Sequence, residues 1–262
     1  MNHATTNMSA RQTMTRQTAM SRQTAMTRQT ANVRTLAVWL GGWLLMAGAA
    51  AAPPDYSAYG AVLETYVDEA GMVDYAGLKE HAGSLEKALE VFATTSPDAY
   101  AAWDESTQIA FWLNAYNAYT LKAIVAHYPI QPRLLRSVIY PDNSIRQIPG
   151  VWKSLEWEVL GDMKTLDAIE HEILRQDFDE PRIHAALVCA AISCPPLRTE
   201  PFTGAALDAQ LADQMRHWLR QPGKFALDRE AGRVSLSKIF QWFAVDFESR
   251  YGDVAPFSEP GD

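Results

Sequence analysis

The chain has 262 residues, of which 48% are hydrophobic and 21% charged, and this composition predicts a globular protein with one full core. All 31 acidic residues follow position 34, whereas five of the 23 basic residues lie at or before it, so the remainder keeps 18 basic residues and a net charge near −13. Such an acidic chain is not expected to bind nucleic acid, nor an anionic membrane through bulk electrostatics.

Two segments before residue 53 are not expected to belong to the folded domain. Residues 1–33 contain no acid and repeat a hexad that begins Arg-Gln-Thr, which predicts a disordered leader. Residues 34–52 combine a basic residue, an apolar run from Leu36 to Met46 and a series of small residues, which predicts a secretory signal peptide cleaved near Ala50–Ala52. An uncleaved membrane anchor is the alternative. The predicted location is the periplasm or the cell exterior.

Residues 53–262 are predicted to form a single α+β domain, rich in helices, with short strands around a central buried helix. The spacing of apolar residues predicts one helix over 56–70 and a second that runs through Leu78 to Phe92. The strongest pattern covers Glu105–Tyr128. Apolar residues occupy much of its circumference, so this helix is expected to be the buried centre of the domain.

The second half of the chain is predicted to contain shorter elements. Alternating apolar residues predict a strand that ends near Val159 and turns at Gly161-Asp162, and Thr165 is expected to begin a helix. The stretch from Asp179 to about Ala191 is predicted as a helix, with a buried strand as the alternative. The patterns beyond it predict a helix, a hairpin and a last helix, over 205–219, 225–235 and 237–247.

Two asparagines interrupt the apolar surface of the central helix. Asn114 and Asn117 lie among large apolar residues, where an amide without a hydrogen bond costs about 1 to 3 kcal/mol. The favoured interpretation is that they satisfy backbone groups of loops that cross the helix. In the alternative, one of them binds a ligand or stabilises an oxyanion.

Four motifs occur along residues 56–247 in a characteristic order. They are Val73-Asp74-Tyr75, the run from Ala110 to Ala118, Ile169-Glu170-His171, and Arg182 to Cys189 followed by Ser193-Cys194-Pro195-Pro196-Leu197. In these motifs the chain resembles the DUF547 family, whose function is uncharacterised. The resemblance implies an exported bacterial protein and a fold related to papain-like or transglutaminase-like domains with a Cys-His-acid site. The family's usual C-terminal strand is not recognisable, so the C-terminal edge of the domain is expected to be incomplete.

A nucleophilic site can be composed from residues of the third and fourth motifs. A thiol becomes a nucleophile when an imidazole takes its proton and a carboxylate orients that imidazole. Cys194 is the predicted nucleophile because it falls in the turn before two prolines, and His171 or His184 is its candidate base. Glu170 is the candidate acid. Neighbouring residues of a helix point about a hundred degrees apart, however, so an acid from elsewhere would orient His171 better.

Other interpretations of the two cysteines stay open. A disulfide between Cys189 and Cys194 requires a backbone bend that brings their Cα atoms within about 7 Å. Two inert buried thiols and a metal site are further alternatives. Neither the cysteine nor the histidine spacing matches a zinc pattern, so no metal and no cofactor is predicted. Cys189 is grouped with Asn114 and Asn117 as a candidate binding residue.

Two functions therefore remain in competition. The first is a thiol-dependent hydrolase or transferase that acts on amide or thioester bonds. The second is a non-catalytic periplasmic binding or assembly module whose cysteines are structural. The expected partner in either case is a small molecule or a peptide, with no nucleic acid, and with membrane contact only through an uncleaved signal segment.

Overall fold

The computed structural model describes residues 51–190 and 194–252, which belong to one compact unit. The predicted leader and nearly all of the signal segment lie outside these residues. The described residues are mainly helical, which confirms a helix-rich α+β domain. The elements in chain order are α1 (Ser57–Tyr66), α2 (Tyr75–Glu80), α3 (Ala82–Thr94), α4 (Pro97–Ala101), α5 (Glu105–His127), β1 (Glu156–Val159), β2 (Asp162–Thr165), α6 (Leu166–Ala168), a π-helix (Ile169–Leu174), α7 (Arg175–Asp177), α8 (Ile183–Ala186), α9 (Leu207–Arg220), β3 (Phe225–Asp228), β4 (Arg233–Leu236), α10 (Lys238–Trp242) and α11 (Ala244–Tyr251).

Helix α5 is the centre of the fold, as its sequence predicts. Asp104 caps its N-terminus, where the side chain accepts a hydrogen bond from the backbone amide of Thr107 at 2.8 Å. Apolar side chains then occupy every side of the helix, and 16 of its 23 residues are buried. Helices α2, α3 and α9 pack against it.

The helices before α5 cover one of its sides. The ring of Phe92 in α3 meets Tyr59 and Phe111 edge-on, with ring centroids 6.3 and 5.5 Å apart. The single helix predicted from Leu78 to Phe92 is divided. His81 leaves the helical region at φ −116° and ψ 36°, which ends α2, and the chain enters α3 at the next residue.

The strands form two separate antiparallel hairpins, β1 with β2 and β3 with β4. Leu160 and Gly161 connect β1 to β2 and both have positive φ, close to the predicted turn. The strand is shorter than the alternation of apolar residues from Trp152 to Val159 predicted. Residues 150–154 form a turn, in which Ser154 donates its backbone N–H to the carbonyl of Gly150 at 2.7 Å, so β1 begins only at Glu156.

The predicted helix from Asp179 to Ala191 is mostly wrong. Helix α8 holds only four residues, and Leu187 is already extended at φ −80° and ψ 118°. The cause is a side chain of α5. Asn117 accepts the backbone N–H of Val188 at 2.9 Å, so this N–H is not available to continue the helix.

The C-terminal elements largely follow their patterns. The β3–β4 hairpin is confirmed, whereas the last helix is divided at Phe243 (φ −118°, ψ 27°) into α10 and α11. Within residues 51–190 and 194–252, no helix has the length and apolar character needed to cross a membrane.

Candidate functional site

The two asparagines of α5 hold loops by their backbones. Asn114 donates to the carbonyl of Phe202 at 2.8 Å and accepts the N–H of the same residue at 2.9 Å. Asn117 spans the end of α8 in a similar way, donating to the carbonyl of Ala186 and accepting from Val188, both at 2.9 Å. This is the arrangement of the favoured interpretation. It fixes the direction in which the chain leaves α8 toward Cys189.

His184, in α8, is held by an acid that sequence spacing does not reveal. Its Nε2 lies 2.7 Å from a carboxylate oxygen of Asp246, in α11. The guanidinium of Arg175 grips the same carboxylate with two hydrogen bonds, at 2.7 and 2.9 Å. The ring of Phe243 covers both His184 and Arg175. It stacks on His184 with centroids 3.7 Å apart and lies 4.9 Å from the Arg175 guanidinium carbon.

This environment sets the charge of the cluster. Burial lowers the pKa of His184 to about 4, even though the hydrogen bond and charge of Asp246 act in the opposite direction. Burial acts to raise the pKa of Asp246, but the hydrogen bonds from Arg175 and His184 outweigh it and leave that pKa below its ordinary value. At neutral pH the cluster therefore consists of a carboxylate, a guanidinium and a neutral imidazole that donates its Nε2 proton to the carboxylate.

His171 and Glu170, which were also predicted as site residues, lie in the π-helix next to this cluster. Nδ1 of His171 lies 3.2 Å from the guanidinium of Arg175, so His171 is joined to Asp246 through that arginine. Burial raises the pKa of Glu170, while the neighbouring His171 and the hydroxyl of Tyr116 oppose the rise. His171, His184 and Glu170 therefore share one neighbourhood, which is centred on Arg175.

The cysteines belong to a second arrangement. Cys189 and Cys194 are joined by a disulfide with their Cα atoms 6.1 Å apart. The backbone bend that such a bond requires begins at Ala190, whose φ of 53° lies in the left-handed region. Neither cysteine carries a thiol in this state. Among the described residues, no hydrogen bond connects Cys194 to either candidate base.

Cys194 borders a cavity of about 550 Å³. Three stretches of chain form its walls: the turn before α2, the residues on both sides of the disulfide loop, and the connection from α9 to β3. The described lining residues are Ala70, Gly71, Met72, Val73, Tyr75, Val188, Ala190, Cys194, Pro195, Pro196, Gln221, Pro222 and Lys224. They include no acid, and most of the surface that they present is apolar.

The walls of this cavity are held in close contact. Gly71 has a φ of 76°, and a Cβ added there would lie 2.5 Å from Cβ of Pro196. Only glycine therefore permits the turn and the proline segment to approach so closely. On the other side of that segment, Gln214 donates to the carbonyl of Pro196 at 2.7 Å.

Three polar side chains, those of Tyr75, Gln221 and Lys224, line this apolar cavity. Lys224 is only 9% exposed, and burial lowers the pKa of its ammonium group. Tyr75 is half-buried, and burial raises the pKa of its hydroxyl. The cavity thus combines an apolar wall with one cation and one neutral hydroxyl, a combination that suits a ligand with an apolar body and an acidic group.

The sequence pointed to the right stretch of chain but missed several contributors. Asp246, Arg175 and Phe243 were not recognised because α7, α10 and α11 meet α8 only in the folded chain. Lys224 and Tyr75 were missed for the same reason, although Tyr75 lies within one of the motifs quoted above. Among the described residues, no three His, Cys, Asp or Glu side chains are placed to hold a metal ion.

Comparison with known families gives a match to the model described as "Protein of unknown function, DUF547", over residues 100–219. No curated protein and no solved structure matches the chain. The implied relationship to papain-like folds therefore stays a prediction. The matched region runs from α4 to α9 and holds both asparagines, the histidines and the disulfide. Over residues 100–219, slightly less than half of the chain, the protein is similar to the DUF547 family, whose function is unknown.

Proposed function

We propose that the chain is a non-catalytic binding module, exported to the periplasm or the cell exterior, which takes a small-molecule or peptide ligand in the cavity beside the disulfide. The observation that carries the proposal is the bond between Cys189 and Cys194. It occupies the sulfur that a thiol enzyme would need and closes the loop at one wall of the cavity. An oxidising compartment is also where such a bond persists.

The hydrogen bonds around His184 support the same reading. Because Nε2 of His184 is bonded to Asp246 at 2.7 Å, only its Nδ1 could accept a proton as a general base. The imidazole is buried under Phe243 and is 4% exposed. Its contacts are those of a side chain that fixes α11 against α8.

The cavity lining indicates the class of ligand. Its apolar surface favours an aliphatic or aromatic body, and the ammonium of Lys224 favours a carboxylate or a similar acid at one end of that body. We therefore expect acidic ligands to bind more tightly than uncharged ligands of the same shape.

Calorimetric titration of the full chain tests this preference. Decanoate and N-acetylleucine serve as acidic probes, and decanol and N-acetylleucine amide serve as their uncharged counterparts. The acids should bind at least about tenfold more tightly, and Lys224→Met should remove the difference while Lys224→Arg retains it. Lys238→Met, at an exposed position outside the cavity, is the matched control. Equal binding of acids and uncharged probes would contradict the proposed ligand class.

A thiol-dependent hydrolase or transferase is the second candidate, and one observation favours it. The pair of His184 and Asp246 is the imidazole-carboxylate unit that such an enzyme uses, and Cys194 borders a cavity. In the Cys189→Ser variant, Cys194 would be the sole thiol of the chain. If the protein is an enzyme, iodoacetamide should label this thiol rapidly below pH 8, and a further His184→Gln change should slow the labelling. For a binding module, His184→Gln should leave the labelling rate unchanged.

A further inference from the structure

The segment from Arg133 to Tyr140, here called the apolar tip, exposes more aliphatic surface than any other part of the described chain. Its four large aliphatic residues, Leu134, Leu135, Val138 and Ile139, are 88%, 85%, 83% and 72% exposed. Soluble proteins rarely leave such residues together in water, and a cluster of this kind marks a surface that meets a protein or a membrane.

The tip has a defined backbone conformation. Two consecutive turns form it, in which the N–H of Ser137 bonds to the carbonyl of Arg133 and the N–H of Tyr140 to that of Arg136, both at 2.8 Å. Gln147, a buried side chain of the neighbouring segment, joins the two ends. Its carbonyl oxygen accepts the N–H of Arg133 at 3.1 Å, and its amide donates to the carbonyl of Tyr140 at 3.3 Å.

Because both ends are fixed to a buried residue, the exposure of the four side chains is a property of the folded chain. The side-chain amide of Gln147 can bond both ends of the tip only while the tip keeps this shape, so its hydrogen bonds stabilise this conformation. The aliphatic side chains are thus presented to the outside by the same contacts that hold the loop closed.

The charge around the tip is opposite to that of the rest of the protein. Residues 128–150 contain three basic residues, Arg133, Arg136 and Arg146, and a single acid, Asp142. The chain beyond the leader carries a net charge near −13. Arg133 is exposed and forms no ion pair with a described residue. A cluster of aliphatic side chains beside basic ones is the composition that enters the interface of an anionic bilayer, with the apolar groups among the acyl chains and the arginines at the phosphates.

We propose that the apolar tip docks on an anionic membrane surface, with Leu134, Leu135, Val138 and Ile139 inserted and Arg133 contacting lipid phosphates. The excess of acid elsewhere does not prevent this contact. Charges more than about 10 Å from the surface are largely screened at 0.1 M salt, so the local excess of base dominates near the tip. Docking would place the protein against a bilayer independently of any signal segment.

A site-specific label tests the proposal on the full chain. Both native cysteines are in the disulfide, so the Leu135→Cys variant offers one free thiol for an environment-sensitive dye. The matched control is Val245→Cys in α11, at a position that is 74% exposed and lies among acidic residues. On vesicles of equal parts phosphatidylglycerol and phosphatidylcholine, the dye at position 135 should shift to the blue and the dye at position 245 should not. Because each dye reports its own surroundings, a membrane-bound leader does not produce this difference.

Further substitutions separate the contributions of apolar surface and of charge to membrane binding. With the dye at position 135, the combination of Val138→Ser and Ile139→Ser should lower the ratio of inserted to free tip by roughly tenfold or more. Arg133→Gln should lower it by about fivefold on anionic vesicles and leave it unchanged on neutral ones. These side chains are exposed, so the melting temperature should stay constant in all variants.

Three results would overturn the proposal. The first is the absence of a blue shift at position 135 on anionic vesicles, and the second is an equal shift at position 245. The third is a shift that grows with protein concentration in the absence of lipid, which would assign the tip to association between two copies of the chain. An equal shift on neutral vesicles would overturn the role of Arg133.

Discussion

Two sets of bonds near α8, the His184–Asp246 cluster and the Cys189–Cys194 disulfide, differ in how far apart in sequence their partners lie. His184 is bonded to an acid 62 positions away, in a cluster of charged side chains that joins α7, α8 and α11. Cys189, five residues after His184, is bonded to a cysteine only five positions further on. The long-range cluster connects separate elements, whereas the short disulfide fixes one loop. Loss of the first should therefore weaken the whole fold, and loss of the second should act mainly on the cavity wall.

The largest effect is expected at Asp246. Asp246→Ala removes the partner of both Arg175 and His184, and leaving a partly buried guanidinium without its carboxylate should lower the free energy of unfolding by about 2 to 4 kcal/mol. Urea denaturation measures the change. Asp142→Ala, at an exposed acid, is the control and should cost under about 0.5 kcal/mol. A loss below about 1 kcal/mol for Asp246→Ala would show that the cluster does not connect the helices.

Lowering the pH should also weaken the cluster, because it favours protonation of His184 in the unfolded chain. Its pKa is about 4 in the folded chain and about 6.5 when unfolded, so below pH 6.5 the unfolded chain takes up a proton that the folded chain does not. Stability should accordingly fall between pH 6.5 and pH 4, by up to about 3 kcal/mol. Glu170, whose pKa is raised, acts in the opposite direction, and the difference between wild type and His184→Gln isolates the histidine. Identical slopes for the two proteins would contradict the buried neutral imidazole.

A smaller loss is expected from opening the disulfide. Closing a loop of six residues reduces the entropy of the unfolded chain enough to stabilise the fold by about 2 kcal/mol. Cys194→Ala, Cys189→Ala and the double variant should each lose this same amount, because one bond is broken in all three. Thermal denaturation without reductant measures it. Additive losses from the two single variants would show that the cysteines stabilise the protein by packing instead.

The smallest effect is expected at Ala190. Its φ of 53° places Cβ close to the following carbonyl, and glycine has no such conflict, so Ala190→Gly should stabilise the fold by up to about 1 kcal/mol. Ala185→Gly, within α8, is the matched control and should destabilise it by at least about 0.5 kcal/mol. Equal destabilisation by both changes would indicate that the bend after Cys189 is not formed in solution.

Periodicity was sufficient to predict the fold wherever burial decides it. Helix α5 follows directly from the spacing of its apolar residues. The failure at α8 occurs where a side chain from another element competes with local structure. The apolar run after Ile183 is compatible with helix, and it ends where the side chain of Asn117 accepts the N–H of Val188 and donates to the carbonyl of Ala186.

The sequence was sufficient to identify residues of the candidate site, but it was not sufficient to predict their bonding partners. The stretch that contains His184 and both cysteines does hold a polar cluster and a cavity wall, and residue types alone drew attention to it. The partners of these residues come from α7, α11 and the segment before β3, at separations that carry no periodic signal. Whether two cysteines five positions apart are bonded depends on the backbone at Ala190, which no propensity specifies.

The state of the two cysteines tests the central claim most directly. The native full chain is treated with iodoacetamide at pH 7.5 without reductant, and its mass is compared with that of protein that has been unfolded, reduced and alkylated. A binding module closed by the Cys189–Cys194 bond should gain no adduct in the native state and two adducts after reduction. One adduct formed rapidly at Cys194 in the native protein would contradict the account and favour the thiol enzyme.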